Sequence, residues 1–253
     1  MMISRRVNVC NIQIDNVTIQ EAIEYIDGLA QDRRPSFVVT PNVDHIVRYN
    51  KDIEFAEIYK KAHLVVADGM PLIWGAKFLG TPLKAKVSGS DLFPEACQLF
   101  EKNTRKIFFL GGRPKAAEGA KLKLLGKFPK LRIVGCYCPP IGFEKDAVEL
   151  KKISQMIMDA GPDILFVGLG SPKQEKWIYD NYLSLNVPVS IGIGVTFEFI
   201  AGMVQRAPVW MQKVGFEWFW RLMMEPGRLW KRYLIDDLSF FRLILIQKIG
   251  WKS

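Results

Sequence analysis

Between Ser36 and about Ile200 the chain alternates short β-rich runs with longer helical stretches, and no other feature narrows its fold as far. The runs are Phe37 to Thr40, Leu64 to Ala67, Lys106 to Leu110, Arg132 to Cys136, Asp163 to Gly168 and Val189 to Ile193, with helical segments between most of them. Each is nearly continuous in apolar residues, as strands buried on both faces are. Strands separated by helices pair in parallel, so the expected class is α/β, a parallel sheet flanked by helices. Ahead of this core, Val7 to Ile14 alternates like one further strand. Thr18-Ile19-Gln20-Glu21 then forms a capping box that opens a helix through Ala30.

At 253 residues the chain has room for one large domain, or for a domain with an appendage. Its 49% hydrophobic and 24% charged residues exclude disorder, collagen-like repeats and coiled coil as descriptions of the whole. The net charge of +9 points to an anionic partner: nucleic acid, a nucleotide substrate or an acidic membrane surface. Residues 204–253 hold nine basic residues against four acidic, and five of the seven tryptophans, Trp210, Trp218, Trp220, Trp230 and Trp251. We therefore divide the chain into an α/β domain, 1–203, and a basic, Trp-rich helical appendage, 204–253. A helix is expected from about Val209 to Met224, interrupted at Pro226-Gly227. A second, from Arg228, aligns Trp230, Leu234, Leu238, Phe241 and Leu245 as one apolar stripe. Such a tail serves equally as a lid packed on the sheet or as a peripheral membrane contact.

Cys10, Cys97, Cys136 and Cys138 match no zinc ribbon or disulfide framework, and only His45 and His63 could help them bind metal. They read as reduced thiols of a cytoplasmic protein. The N-terminus has no long apolar core, and no run of about 18 apolar residues occurs, so the chain is expected to stay in the cytosol without spanning a bilayer.

Ligands of open α/β sheets bind beyond the carboxyl ends of the strands. Gly111-Gly112, followed by Pro114, could present backbone N–H groups and a helix N-terminus to a phosphate, although a tight turn needing positive φ would use the same pair. The P-loop pattern is absent, and no Gly-x-Gly-x-x-Gly opens a helix, which argues against P-loop NTPases and ordinary NAD-binding dehydrogenases. Asp68, between a buried strand and Gly69, is placed to take a proton from a bound hydroxyl, and equally to cap the helix beginning at Met70. Thr40, Asn42 and Gln174 are neutral donors and acceptors suited to sugar hydroxyls. Gln174 and Glu175 fit a first helical turn on a solvated face equally well, and Asp91 reads as a helix cap. Neither Asp68 nor Asp91 belongs to an Asp-x-Asp pair, so metal-free chemistry is the default. Arginines must then offset leaving-group charge, and Arg206, Arg221, Arg228 and Arg232 are the candidates. On one continuous helix the last three would lie within about 40° of each other, an alignment loosened by Pro226.

Taken in order, eight motifs resemble the WecG/TagA/CpsF family of bacterial glycosyltransferases, from roughly residue 36 to 235. They are Thr40-Pro41-Asn42, Ala67-Asp68-Gly69, Ser88-Gly89-Ser90-Asp91, Phe109-Leu110-Gly111-Gly112, Gly168 through Glu175, Gly192-Ile193-Gly194-Val195, Arg206-Ala207-Pro208 and Glu217-Trp218-x-x-Arg221-Leu222. The resemblance implies a Rossmann-like domain and an inverting enzyme that moves an N-acetylmannosamine-type sugar from UDP to a polyprenyl-diphosphate-linked N-acetylglucosamine. Such enzymes serve teichoic acid, capsule or exopolysaccharide synthesis. No cofactor or metal is expected, and the resemblance further implies a peripheral place at the inner face of the cell membrane and a homo-oligomer, trimers being the form reported for the family. By the same resemblance Asp68 is the general base, with Thr40, Asn42 and Gln174 around the sugar. Glu198 stands where many members have Asp near the uridine, while Gly111, Gly112 and Gly168 are assigned to substrate binding from their place after the strands. Arg206, Arg221, Arg228 and Arg232 resemble the arginines that close over the diphosphate. Many members carry a Gly-Tyr-Phe-type loop where this chain reads Gly135-Cys136-Tyr137-Cys138-Pro139-Pro140-Ile141-Gly142-Phe143, a departure that bears on the choice of sugar. The alternatives are the same reaction with another UDP-sugar, a soluble sugar-nucleotide epimerase, and an RNA-binding protein. The helical stripe and the lack of RNP or KH signatures count against nucleic acid.

Overall fold

The computed structural model describes residues 6–231 and 237–250, apart from the side chains of Lys213 and Arg228. The first half of the chain runs β1 (Arg6–Val9), β2 (Ile12–Asp15), α1 (Ile19–Asp32), β3 (Ser36–Val39), α2 (Val43–Tyr49), α3 (Ile53–Lys61), β4 (Leu64–Val65), α4 (Met70–Leu79), α5 (Gly89–Lys102), β5 (Lys106–Gly111) and α6 (Ala116–Lys127). It continues through β6 (Arg132–Tyr137), α7 (Ala147–Ala160), β7 (Ile164–Gly168), α8 (Lys173–Leu185), β8 (Val189–Gly192) and α9 (Thr196–Ala201). The tail forms α10 (Val209–Lys213), α11 (Glu217–Met224), α12 (Pro226–Lys231) and α13 (Leu238–Lys248). All six expected core strands are present within two residues of their predicted limits, making the chain a Rossmann-like parallel sheet flanked by helices. No described helix is long and apolar enough to cross a membrane.

The chain divides into two compact units. The first comprises Gln20–Val39 and Gly89–Val204. Its strands lie in the order β3-β8-β7-β5-β6, all parallel. From β5 the chain steps outward to β6, then returns past β5 to β7 and moves on to β8, so its direction reverses between β5 and β7. Right-handed crossovers then place α6 and α8 on opposite faces, which opens a crevice where β5 and β7 end. Charge fixes the opposite edge. Arg105 Nε reaches Asp27 at 2.7 Å, Arg33 reaches Asp163 at 2.9 Å, and Asp163 accepts the Lys106 N–H at 2.8 Å. Between the edges lies a phenyl cluster in which Phe93 approaches Phe166 with ring centroids 4.2 Å apart, and Phe109 approaches Phe197 at 5.0 Å.

The second unit comprises Met2–Ile19, Thr40–Ser88 and Gln205–Ser253. The stretch from Gln205 onward shares its unit with two earlier stretches of chain. The single strand expected from Val7 to Ile14 is instead an antiparallel hairpin, with Val9 opposite Ile12. Cys10 and Asn11 turn it with φ of 49° and 72°, the twist a two-residue hairpin requires. The Cys10 N–H donates to Gln247 Oε1 at 2.6 Å, and Gln247 Nε2 donates to the Asn8 carbonyl at 3.0 Å. The helix expected from Val209 to Met224 is two helices, α10 and α11. At Gly215, φ is +79°, and a Cβ there would lie 2.6 Å from the Trp74 ring. Pro226 opens α12 rather than ending a helix, because a first-turn residue needs no N–H partner. Trp230, Leu238, Phe241 and Leu245 of the expected stripe are each half exposed or more, and Leu234 lies outside the described residues. Phe240 and Ile244 make the buried face of α13, against Gly75 of α4.

Candidate active site

In the first unit the glycine loops meet at the crevice. Gly111 and Gly112 have φ of +100° and +81°, and the Gly112 N–H donates to the Gly168 carbonyl at 2.8 Å. A Cβ on Gly111 would lie 2.7 Å from that same carbonyl oxygen. The pair is therefore a tight turn and a close backbone approach at once, leaving an edge bare of side chains. Glu198, in the first turn of α9, is buried, and its Oε1 accepts the Arg113 N–H at 2.9 Å. Its Oε2 is buried without a hydrogen-bond partner among the described residues. A buried carboxylate oxygen in that condition awaits a donor from a ligand or water.

Gln174 lies in the first turn of α8, as its alternative placement had it, yet it is buried rather than solvated. Its Oε1 accepts the Gly194 N–H at 3.0 Å and its Nε2 donates to Glu175 Oε1 at 2.8 Å, so it pins the turn after β8. Cys138 donates its thiol to the Gly112 carbonyl at 3.1 Å, which brings the divergent loop to the glycine edge. Burial pushes the neighbouring Cys136 thiol up to about 11 and also raises Cys138, so neither is a thiolate nucleophile at neutral pH.

The second unit gathers the ionisable chemistry. Asp68 does not cap α4: the N-cap is Gly69, with no side-chain cap hydrogen bond. The Asp68 N–H is held by the Pro41 carbonyl at 2.8 Å, which ties it to the Thr40-Pro41-Asn42 loop. Its half-buried carboxylate makes no side-chain hydrogen bond among the described residues. Burial, and then the charge of Glu217, lift its pKa to about 6 against the pull of Lys86, His45 and Arg221. Asn42 caps α2: its Oδ1 accepts the His45 N–H at 3.4 Å and lies 2.6 Å from His45 Nδ1. Thr40 is buried. Asp91 is a first-turn residue of α5, not its cap.

Arg206 Nε lies 3.2 Å from Glu217 Oε1, and Arg221 sits one turn after Glu217 on α11. Arg228 belongs to α12 with its side chain outside the described residues, and Arg232 lies outside them altogether. Glu225 leaves the helical conformation between α11 and α12, so Arg221 and Arg228 do not share one continuous helix. Among the described residues no group of three or more His, Cys, Asp or Glu side chains is placed to hold a metal ion.

Lys86, His45 and Glu217 were not singled out from the sequence as members of this site. Lys86 carries no local signal. His45 had one, since Asn42-x-x-His45 is a cap spacing, and the Glu217 to Arg221 step of four marks one helix face.

The family model described as Glycosyl transferase WecG/TagA/CpsF family matches residues 7–253. The chain is 30% identical over 225 residues to the N-acetylglucosaminyldiphosphoundecaprenol N-acetyl-beta-D-mannosaminyltransferase of Bacillus subtilis (strain 168), covering 88% of this chain and 85% of that one. It is 28% identical over 229 residues to the protein of the same name from Staphylococcus aureus (strain MW2), covering 90% and 86%. With its ordered motifs, its glycine-edged parallel sheet and a match over nearly its whole length, the chain belongs to the WecG/TagA/CpsF family of glycosyltransferases.

Proposed function

We propose that the protein transfers N-acetylmannosamine from UDP to a polyprenyl-diphosphate-linked N-acetylglucosamine, with inversion and without a metal ion, in the assembly of a cell-surface polymer. The names of its relatives supply the sugar, the acceptor and the β linkage. A β linkage made from an α-linked UDP donor requires inversion, hence one direct displacement and one base. The observation that carries the reading is the Asp68 carboxylate: half-buried, free of the capping role, and lifted to about 6. A base of that strength is ionised at neutral pH yet holds a proton far better than an ordinary aspartate, the compromise general-base catalysis favours.

Asp68 takes the proton of the acceptor hydroxyl as its oxygen attacks the anomeric carbon. Lys86, Arg206 and Arg221 supply positive charge for the departing UDP, the part a divalent ion plays in other transferases. Considered by itself, the first unit offers a backbone-lined glycine edge and the buried Glu198 carboxylate as contacts suited to a nucleotide. The exposed apolar side chains of the cationic tail, Trp210, Trp230, Phe241 and Leu245 among them, suit the headgroup boundary where a polyprenyl acceptor resides. The chain then works as a homo-oligomer on the cytoplasmic surface of the membrane.

The test is a panel of UDP-sugars with a short-chain polyprenyl-diphosphate N-acetylglucosamine, assayed with and without EDTA. UDP-N-acetylmannosamine should be consumed with EDTA present. Transfer of a different sugar would revise the donor, and loss of transfer in EDTA would remove the metal-free mechanism.

A further inference from the structure

Glu217 places a carboxylate where the proposed reaction calls for cations. Its Oε1 lies 3.2 Å from Arg206 Nε and its Oε2 lies 4.0 Å from Lys86 Nζ, so one side chain ties together groups 120 residues apart in the chain. All three side chains are at most about a quarter exposed. Their cross-linking of separate stretches distinguishes them from solvated surface pairs, which order little. The charged groups bearing on Asp68 are Glu217 and Arg221 from α11, Lys86 from the segment before α5, and His45 from α2. Glu217 is the one acid among them.

We propose that Glu217 is the positioning residue of this cluster, its carboxylate orienting Lys86 and Arg206 for the donor's diphosphate. The inference rests on Asp68 being the general base. A diphosphate site and a competent carboxylate base make opposing demands: every cation that welcomes the diphosphate also draws the proton affinity of the base down. One acid, paired with the cations and close enough to act on the base, reconciles the two.

The experiment compares pH profiles of kcat/KM for wild type, Glu217→Gln and Glu217→Asp. Glu217→Gln should move the acid limb down by about half a unit or more and lower the plateau about tenfold or more. Glu217→Asp, which keeps the charge, should leave the limb at its wild-type position. A limb that Gln leaves in place, or that Asp moves as far as Gln does, overturns the proposal. If wild type transfers no UDP-sugar, the glycosyltransfer reading is what fails. An NMR titration of the 13C-labelled Asp68 carboxyl in wild type and Glu217→Gln still decides the role of Glu217: a lower midpoint in the variant supports it and an unchanged one overturns it.

Discussion

Asp68 sets chemistry against stability. Its pKa of about 6 in the fold, against 3.8 for an unperturbed carboxyl, means that between those values the native state keeps a proton the unfolded chain has lost. Stability therefore falls as pH rises through that window and stays level above it. Asp68→Asn carries no charge at any pH and escapes the fall. It should be more stable than wild type at pH 7.5, by about 1–3 kcal/mol, and the gap should close near pH 4, as urea titrations at the two pH values would show. The same variant should lose roughly 10²–10⁴ in turnover while its UDP affinity by calorimetry stays near normal. Unchanged turnover would remove Asp68 from its role. In wild type, the rate should fall as pH drops through about 6. The position of Asp68 at a strand end is plain in the sequence, but its release from capping is not, since that depends on Gly69 taking the cap. Gln174 misleads for a related reason: first-turn residues are usually solvated, and only the fold shows that the Gly194 N–H needs it.

At the scale of elements, the parallel strands were the most legible part, because burial on both faces writes a run of apolar residues that few other structures explain. The hairpin was hidden by its turn, where Cys10 occupies a positive-φ position that Asn or Gly normally fills. In the tail, periodicity placed the helices but read through Gly215, and it could not say which face was covered. Two adjacent residues of α13 test that assignment. Phe240 is fully buried, and Phe240→Ala should cost about 3–5 kcal/mol in chemical denaturation. Phe241 is 60% exposed. Phe241→Ala should change stability by no more than about 0.5 kcal/mol yet weaken sedimentation with vesicles containing anionic lipid.

Over the whole molecule, charge and apolar exposure act together. Five of the nine net positive charges fall in the last fifty residues, alongside the exposed Trp and Leu side chains. Binding to vesicles rich in phosphatidylglycerol should accordingly weaken as salt rises from 50 to 500 mM, without vanishing, because screening removes the attraction of the charges and leaves the apolar contact. Binding indifferent to both salt and lipid charge would remove the basic tail from that role. The division of the chain into two interleaved units was the least legible feature, since it is written in contacts between residues far apart in the sequence. Gln247 grips the hairpin turn at Cys10 across 237 positions and so joins β1 and β2 to α13. At about 5–20 residues per second, a ribosome needs roughly 10 to 50 seconds to bridge that interval. The unit that carries Asp68 therefore waits that long for the helix that grips its hairpin, and a nascent chain stalled before α13 cannot complete the architecture around that carboxylate.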